Sequence, residues 1–209
     1  NLDYIVAKFP RFPFDKFTTA SNLLGTQMKA TGEVMGIGSN LEECFLKSVR
    51  SLEIGVCHFH LAKFDNMSEA ELFDYIKDYR DDNIYAICQL MRMGVGIEKL
   101  HEVTKITELF LESFKKIVDM ETTLANNVGD TETLLAAKKM GFSDKFIAKL
   151  WKWDELSVYT QRQIAGITPV FRMVDTMHTG KYIAYLYSSY SGENDSRLTD
   201  KKKIVVLGA

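Results

Sequence analysis

The residues with the most chemical potential are few and scattered. His58 and His60 form a His-x-His pair. On a strand both rings would point to one side and could seat a metal ion. Cys57 is adjacent, but no further Cys, Asp or Glu completes an obvious ligand set. A turn after a helix suits the pair better. His101 and His178 stand alone and read as surface or satisfied core histidines. Val205-Val206-Leu207-Gly208 resembles the strand that opens a nucleotide-binding unit. Phosphate is held by a glycine-rich turn and a helix N-terminus, and the sequence carries neither after this strand. Asp200 and Lys201-Lys202-Lys203 could attract an anion, but a solvated lead-in to the strand is the simpler reading.

Aromatic residues form two further groups. Tyr182, Tyr185, Tyr187 and Tyr190 could stack bases, yet few basic residues interleave with them. Packing or an interface fits them better. Trp151 and Trp153 flank Lys152 near a helix end and suit an interface or a core edge equally. Lys29, Glu33 and Met35 lie in a glycine-bounded segment that could line a ligand channel. Residue chemistry alone favours an ordinary structural role for it.

Bulk properties narrow the classes. Apolar residues make up 46% of the 209-residue chain, enough for a real core. The 26 basic and 28 acidic residues leave a net charge of −2, so no overall basic field recruits nucleic acid or anionic lipid. No apolar run approaches the roughly 20 residues that span a bilayer. Asn1-Leu2-Asp3-Tyr4 is neither a start methionine nor a signal peptide. Cys44, Cys57 and Cys88 are odd in number and widely spaced, which reads as reduced thiols in a cytoplasmic protein.

The elements that would position these residues are mostly helical. Tyr4 to Phe9 is β-rich and is predicted to stop at Pro10; Val34 to Gly38 is a second short strand. Ser39 with Glu42 predicts a capping box, followed by a helix with Leu41, Phe45, Val49 and Leu52 on one face. From Gly55 to about Gly180 the pattern is almost purely helical. Helices are expected from Ser68, over Asn83–Met93, Gly96–Lys105, Thr107–Leu124, Asp130–Met140, Ser143–Trp151 and Asp154–Ala165. Serine or aspartate starts and glycine stops punctuate them. On the longest, Leu109, Phe110, Phe114, Ile117, Val118 and Glu121 share helical spacing, and Phe110 is expected in the core. Lys181 to Tyr190 could be extended, and Lys203 to Gly208 should be a new strand. The fold class is therefore mainly α, a multi-helix domain with small β segments at both ends.

Several segments, in order, resemble one family. Asp3-Tyr4-Ile5-Val6-Ala7-Lys8-Phe9-Pro10-Arg11-Phe12 is similar to a family stretch D-Y-[VI]-V-x-K-[IF]-P-R-[FW]. Thr26 to Gly38 is similar to T-Q-M-K-S-x-G-E-[VA]-M-[AG]-I-G, and Gly141-Phe142-Ser143-Asp144 to a G-F-[SA]-D turn. Val170 to Thr176 resembles V-[YF]-[KR]-x-V-D-T, and Tyr185 to Tyr190 resembles Y-x-Y-S-[ST]-Y. Lys203 to Gly208 resembles the strand opening a second ATP-grasp half. The family is the large, synthetase subunit of carbamoyl phosphate synthase. His58 to Asp65 matches none of its motifs, and Ala209 stands where a glycine is common.

The resemblance implies a division of the chain. Residues 1–54 would be the C-terminal end of the first, carboxyphosphate ATP-grasp domain, and 55–202 the helical oligomerisation domain. Residues 203–209 would be the first strand of the second, carbamoyl phosphate domain. The parent would be an ATP-dependent ligase making carbamoyl phosphate from bicarbonate, ATP and glutamine-derived ammonia for arginine and pyrimidine synthesis. ATP and Mg²⁺ or Mn²⁺ would bind outside this segment, which would carry no catalytic, cofactor or metal residue and be inactive alone. Expected partners are the other large-subunit domains, a glutaminase small subunit and a second large subunit, with no nucleic acid and no membrane. Met28, Lys29, Glu33 and Met35 would face the interior of the parent near the path of its labile intermediate. Trp151, Trp153, Tyr182, Tyr185, Tyr187 and Tyr190 would supply an interface. The competing readings are an independent helical interaction module and a small-ligand or nucleic-acid binder; near-neutral charge counts against the last.

Overall fold

Strand β1 (Ile5–Arg11) pairs antiparallel with β2 (Gly32–Gly38), from Ile5 opposite Gly38 to Arg11 opposite Gly32. The computed structural model describes residues 4–14, 16–177 and 179–206. The strand runs through Pro10, one residue past the predicted stop. Proline lacks a donor N–H but is tolerated on an edge strand, and each strand of this two-stranded sheet has a free edge. Helix α1 (Leu41–Ser51) lies across the hairpin. A Cβ on Gly36 would sit 2.3 Å from the Cys44 carbonyl oxygen, so glycine is what allows this close approach. The predicted capping box is shifted by one residue. Asn40 is the N-cap and accepts from Glu43 N at 2.8 Å, while the Glu43 carboxylate accepts from Ser39 N at 2.8 Å.

A short 3-10 turn at Ala62–Phe64 precedes seven more helices. They are α2 (Glu69–Ile76), α3 (Asn83–Arg92), α4 (Ile97–Thr104), α5 (Glu108–Asn126), α6 (Thr131–Lys139), α7 (Asp144–Trp151) and α8 (Glu155–Ile164). Their limits follow the predicted signals closely. Side chains of Ser68, Asp130, Ser143 and Asp154 each accept from a backbone N–H of the first turn. Gly94, Gly141 and Gly166 take positive φ after α3, α6 and α8. A second hairpin follows, in which β3 (Val170–Met173) pairs antiparallel with β4 (Leu186–Ser189). β4 falls within the segment expected to be extended. β3 was not foreseen, because four residues after Pro169 carry too little periodicity to register. The architecture is mainly helical with a small two-stranded sheet toward each end, as predicted.

One continuous core runs from α1 to the segment after α8. Phe45 of α1 packs on Phe114 of α5 with ring centroids 5.3 Å apart, and Phe59 meets Phe114 at 5.5 Å. Along α5 the buried positions are Leu111, Ser113, Phe114, Ile117, Val118, Glu121 and Leu124, the large ones recurring at helical spacing. The expectation for Phe110 is corrected: it is 41% exposed. It stands in the first turn of α5, where its ring meets Phe45 at 6.1 Å. Leu109 is exposed as well.

Lys203 to Val206 carry no strand, and Ile204, Val205 and Val206 are exposed. A strand needs a ladder partner for its backbone groups, and none meets this segment among the described residues. Leu207, Gly208 and Ala209 lie outside the described residues, as do His178 and Asp3.

Candidate functional site

The structure separates the two histidines. His60 N donates to His58 O at 2.8 Å in a tight three-residue turn, so the segment is not a strand. His60 then reaches Asp65 at 2.8 Å. His58 is 1% exposed and turns inward, with Nε2 2.8 Å from Glu121 Oε1 on α5. Its ring stacks on Phe146, with centroids 3.6 Å apart and planes at 13°. Among the described residues no group of three or more His, Cys, Asp or Glu is placed to hold a metal ion.

Around Glu121 a buried polar network joins three elements. Arg92 of α3 donates from Nε and Nη2 to the two Glu121 oxygens at 2.7 and 2.8 Å. The same Nη2 also donates to Phe59 O at 2.6 Å. His58 Nδ1 is buried and has no partner among the described residues, which assigns the ring proton to Nε2, facing the carboxylate. Burial pushes the His58 pKa below its ordinary value, the opposing pull of Glu121 being weaker, so the ring is neutral. For Glu121, burial alone would raise the pKa. The Arg92 and His58 hydrogen bonds outweigh it and hold the carboxyl below the usual range.

A second network occupies the Gly141-Phe142-Ser143-Asp144 turn. Lys138 of α6 donates to Phe142 O and to Asp144 Oδ1, each at 2.7 Å, and Arg162 of α8 donates to Asp144 Oδ2 at 2.7 Å. Burial lowers the Lys138 pKa despite Asp144. Asp144 itself is held low, because Lys138 and Arg162 outweigh its burial. Gly141 has φ +88°, and a Cβ there would lie 2.9 Å from the Glu43 Cα. Arg50 of α1 donates to Gly141 O at 2.7 Å. The turn thus docks α6 and α7 on α1. Glu43 completes the junction, accepting from Lys47 at 2.9 Å and from Ser189 Oγ of β4 at 3.1 Å. Each of these carboxylates is paired with a cation. Such groups hold helices in register; a general base needs a carboxylate free to take a proton. Sequence reasoning missed both networks, because their key pairs are far apart in the chain: His58 and Glu121 by 63 positions, Arg92 and Glu121 by 29, Arg162 and Asp144 by 18. The Gly141 to Asp144 motif was the one visible trace.

The proposed interface aromatics divide. Trp151 is 3% exposed, and its Nε1 donates to Leu124 O at 2.8 Å, so its expected exposure is corrected. Tyr187 is likewise buried. Tyr182 and Tyr190 are half-buried, beneath Arg197 and Lys138 respectively. Trp153 and Tyr185 are exposed. Lys152 ends α7 in the left-handed conformation, φ 57°, and Trp153 lies over the edge of buried Trp151, their ring centroids 5.0 Å apart. Beside Trp153, α8 exposes Leu156, Tyr159 and Ile164 on the side away from buried Val158 and Arg162. A second apolar group, Phe17, Leu23, Met28 and Tyr79, lies on the loop between β1 and β2 and past the end of α2. The apolar spacing of α8 could have revealed the first group; nothing local reveals the second.

Met28, Lys29, Glu33 and Met35 do not converge. Glu33 and Met35 point from the outer face of the β1–β2 hairpin, where Lys8 pairs with Glu33 at 2.6 Å. Lys29 Nζ is tied to Ser21 O at 3.0 Å, and Met28 is exposed. Met35 borders a cleft with Tyr185 to Ser188, and Lys29 a different one with Pro13 and Phe17.

Among the described residues, no helix is long and apolar enough to cross a membrane. A family model described as carbamoyl-phosphate synthetase large chain, oligomerisation domain, matches residues 33–166. The matched span opens in β2 and takes in all eight helices, both buried networks and the Gly141 to Asp144 turn. With well over half of its length matched, the chain belongs to the family of the carbamoyl-phosphate synthetase large chain oligomerisation domain.

Proposed function

We propose that this chain is the assembly and spacer segment of a glutamine-dependent carbamoyl phosphate synthase large subunit. The family match carries the reading. The structure supports it, since the charged groups of the core satisfy one another and the apolar side chains left over are on the surface. In this reading residues 1–54 and 203–209 belong to flanking ATP-grasp halves, which bind ATP with Mg²⁺ or Mn²⁺. The parent joins bicarbonate and glutamine-derived ammonia in the cytoplasm, for arginine and pyrimidine synthesis, with a glutaminase small subunit as donor. The segment itself turns over no ATP. Met28, Lys29, Glu33 and Met35 face neighbouring domains of the large subunit, which would cover the exposed hairpin face.

Self-association uses an exposed apolar face on each copy, as closed symmetry requires. The test is sedimentation of the intact large subunit with charge introduced on one face at a time, Leu156→Glu with Ile164→Glu on α8, or Tyr79→Glu with Leu23→Glu. A stable interface buries on the order of 1,200–2,000 Å² and does not tolerate such charges. One pair should therefore shift the protein to the smaller species. An association state unchanged by both pairs and by deletion of the helical section would overturn the reading.

A further inference from the structure

A cleft of about 170 Å³ opens between the end of β1, the turn after α1 and the start of α3. Phe12 and Phe14 line it, their rings stacked 5.7 Å apart with planes at 5°. Leu52 and Ile54 add apolar wall. Four polar residues share the lining, Arg11, Asp81, Asp82 and Tyr85. Tyr85 is 5% exposed, yet its hydroxyl has no hydrogen-bond partner among the described residues. A buried tyrosine usually finds such a partner. Asp81 makes no ion pair among the described residues, in contrast to its neighbour. Asp82 is held by Lys63 Nζ and by Tyr75 OH at 2.9 Å. Burial, and then the Asp82 charge, push the Asp81 carboxyl up; a hydrogen bond from Asn22 opposes them. The cleft thus presents a carboxylate without an ion pair and a hydroxyl without a hydrogen bond among aromatic and aliphatic walls.

We propose that this cleft binds a small organic ammonium ion, whose N–H groups donate to Asp81 and Tyr85 while its hydrocarbon part packs against Phe12 and Phe14. A cavity of about 150 Å³ holds a molecule the size of benzene, which sets the scale of the ligand. The ring quadrupoles favour a cation over a neutral alcohol of the same shape. Arg11 stands at the rim, its Nη1 donating to Phe12 O.

The probes are n-butylammonium chloride and 1-butanol, titrated into the whole chain at constant ionic strength. Binding is read from backbone amide chemical shifts. The expected result is saturable shifts around Phe12, Asp81 and Tyr85 with butylammonium and none with butanol. Asp81→Asn should weaken butylammonium at least about tenfold, the loss of one charge-assisted hydrogen bond. Tyr85→Phe keeps the ring in the core and should weaken it by a smaller factor. Equal binding of butanol, shifts that never saturate, or full affinity in a folded Asp81→Asn protein would each overturn the assignment.

Discussion

Replacing Glu121 by leucine tests whether the buried network is what joins α3, α5 and the loop after α1. The change removes two hydrogen bonds from Arg92, at 2.7 and 2.8 Å, and one from His58, at 2.8 Å. Arg92 would keep Phe59 O at 2.6 Å and Gln89 at 3.3 Å but lose its counter-charge. Removing one partner of a buried pair costs about 3–5 kcal/mol, chiefly because a charge is left unpaired in low dielectric. The Arg92 side chain retains 19% of its exposure and Glu121 11%, so water screens part of that loss. The expected destabilisation is therefore at the lower end, about 3 kcal/mol, out of about 5–15 kcal/mol for a typical domain. Urea unfolding with linear extrapolation measures it. The double variant Glu121→Leu with Arg92→Met leaves no unpaired charge and should recover most of the loss, giving a large coupling energy. A single-variant loss under about 1 kcal/mol, the scale of an exposed pair, would refute the reasoning. So would a double variant less stable than the sum of the two single ones.

Two further outcomes follow from the same core. The folded-state pKa of His58 is depressed from 6.5, so the unfolded chain binds its proton first and stability falls as pH drops through about 6.5. Glu121 is depressed from 4.5 and adds a second loss below that value. His58→Asn should flatten the upper window only; unfolding curves with the same slope between pH 7 and pH 5 would contradict this. On α5, Phe114→Ala should cost about 3–5 kcal/mol, while Phe110→Ala, half out of the core, should cost about 1 kcal/mol. Calorimetric or denaturant data placing the two losses within error of each other would show that the face of α5 is misassigned.

Much of the fold was legible because its signals are local. A serine or aspartate that caps a first turn does so within three residues, and a glycine at positive φ ends a helix where it stands. Hence the limits of α2, α3, α6, α7 and α8 followed from Ser68, Gly94, Asp130, Ser143 and Gly166. The shift of the α1 cap from Ser39 to Asn40 shows the limit of such reading. Both residues offer a plausible cap, and the choice rests on Glu43, which is also held by Lys47 and Ser189.

Burial was less legible. Phe110 and Phe114 have the same side chain and a helical spacing that puts them on one face, yet the core ends between them. Trp151 and Trp153 looked alike in sequence, yet with one left-handed residue between them the first is buried and the second lies exposed against its edge. The chain itself carried the helix boundaries, the mainly α class and the collinear motifs that pointed to its family, since each depends on neighbours a few positions away. Tertiary structure alone decided that His58 answers to Glu121 and Arg92, that Lys138 and Arg162 share Asp144, and that Tyr85 faces a cleft with its hydroxyl unused. Those arrangements arise from side chains brought together across many residues. Their energies come from desolvation and pairing in the packed interior, which no local periodicity encodes.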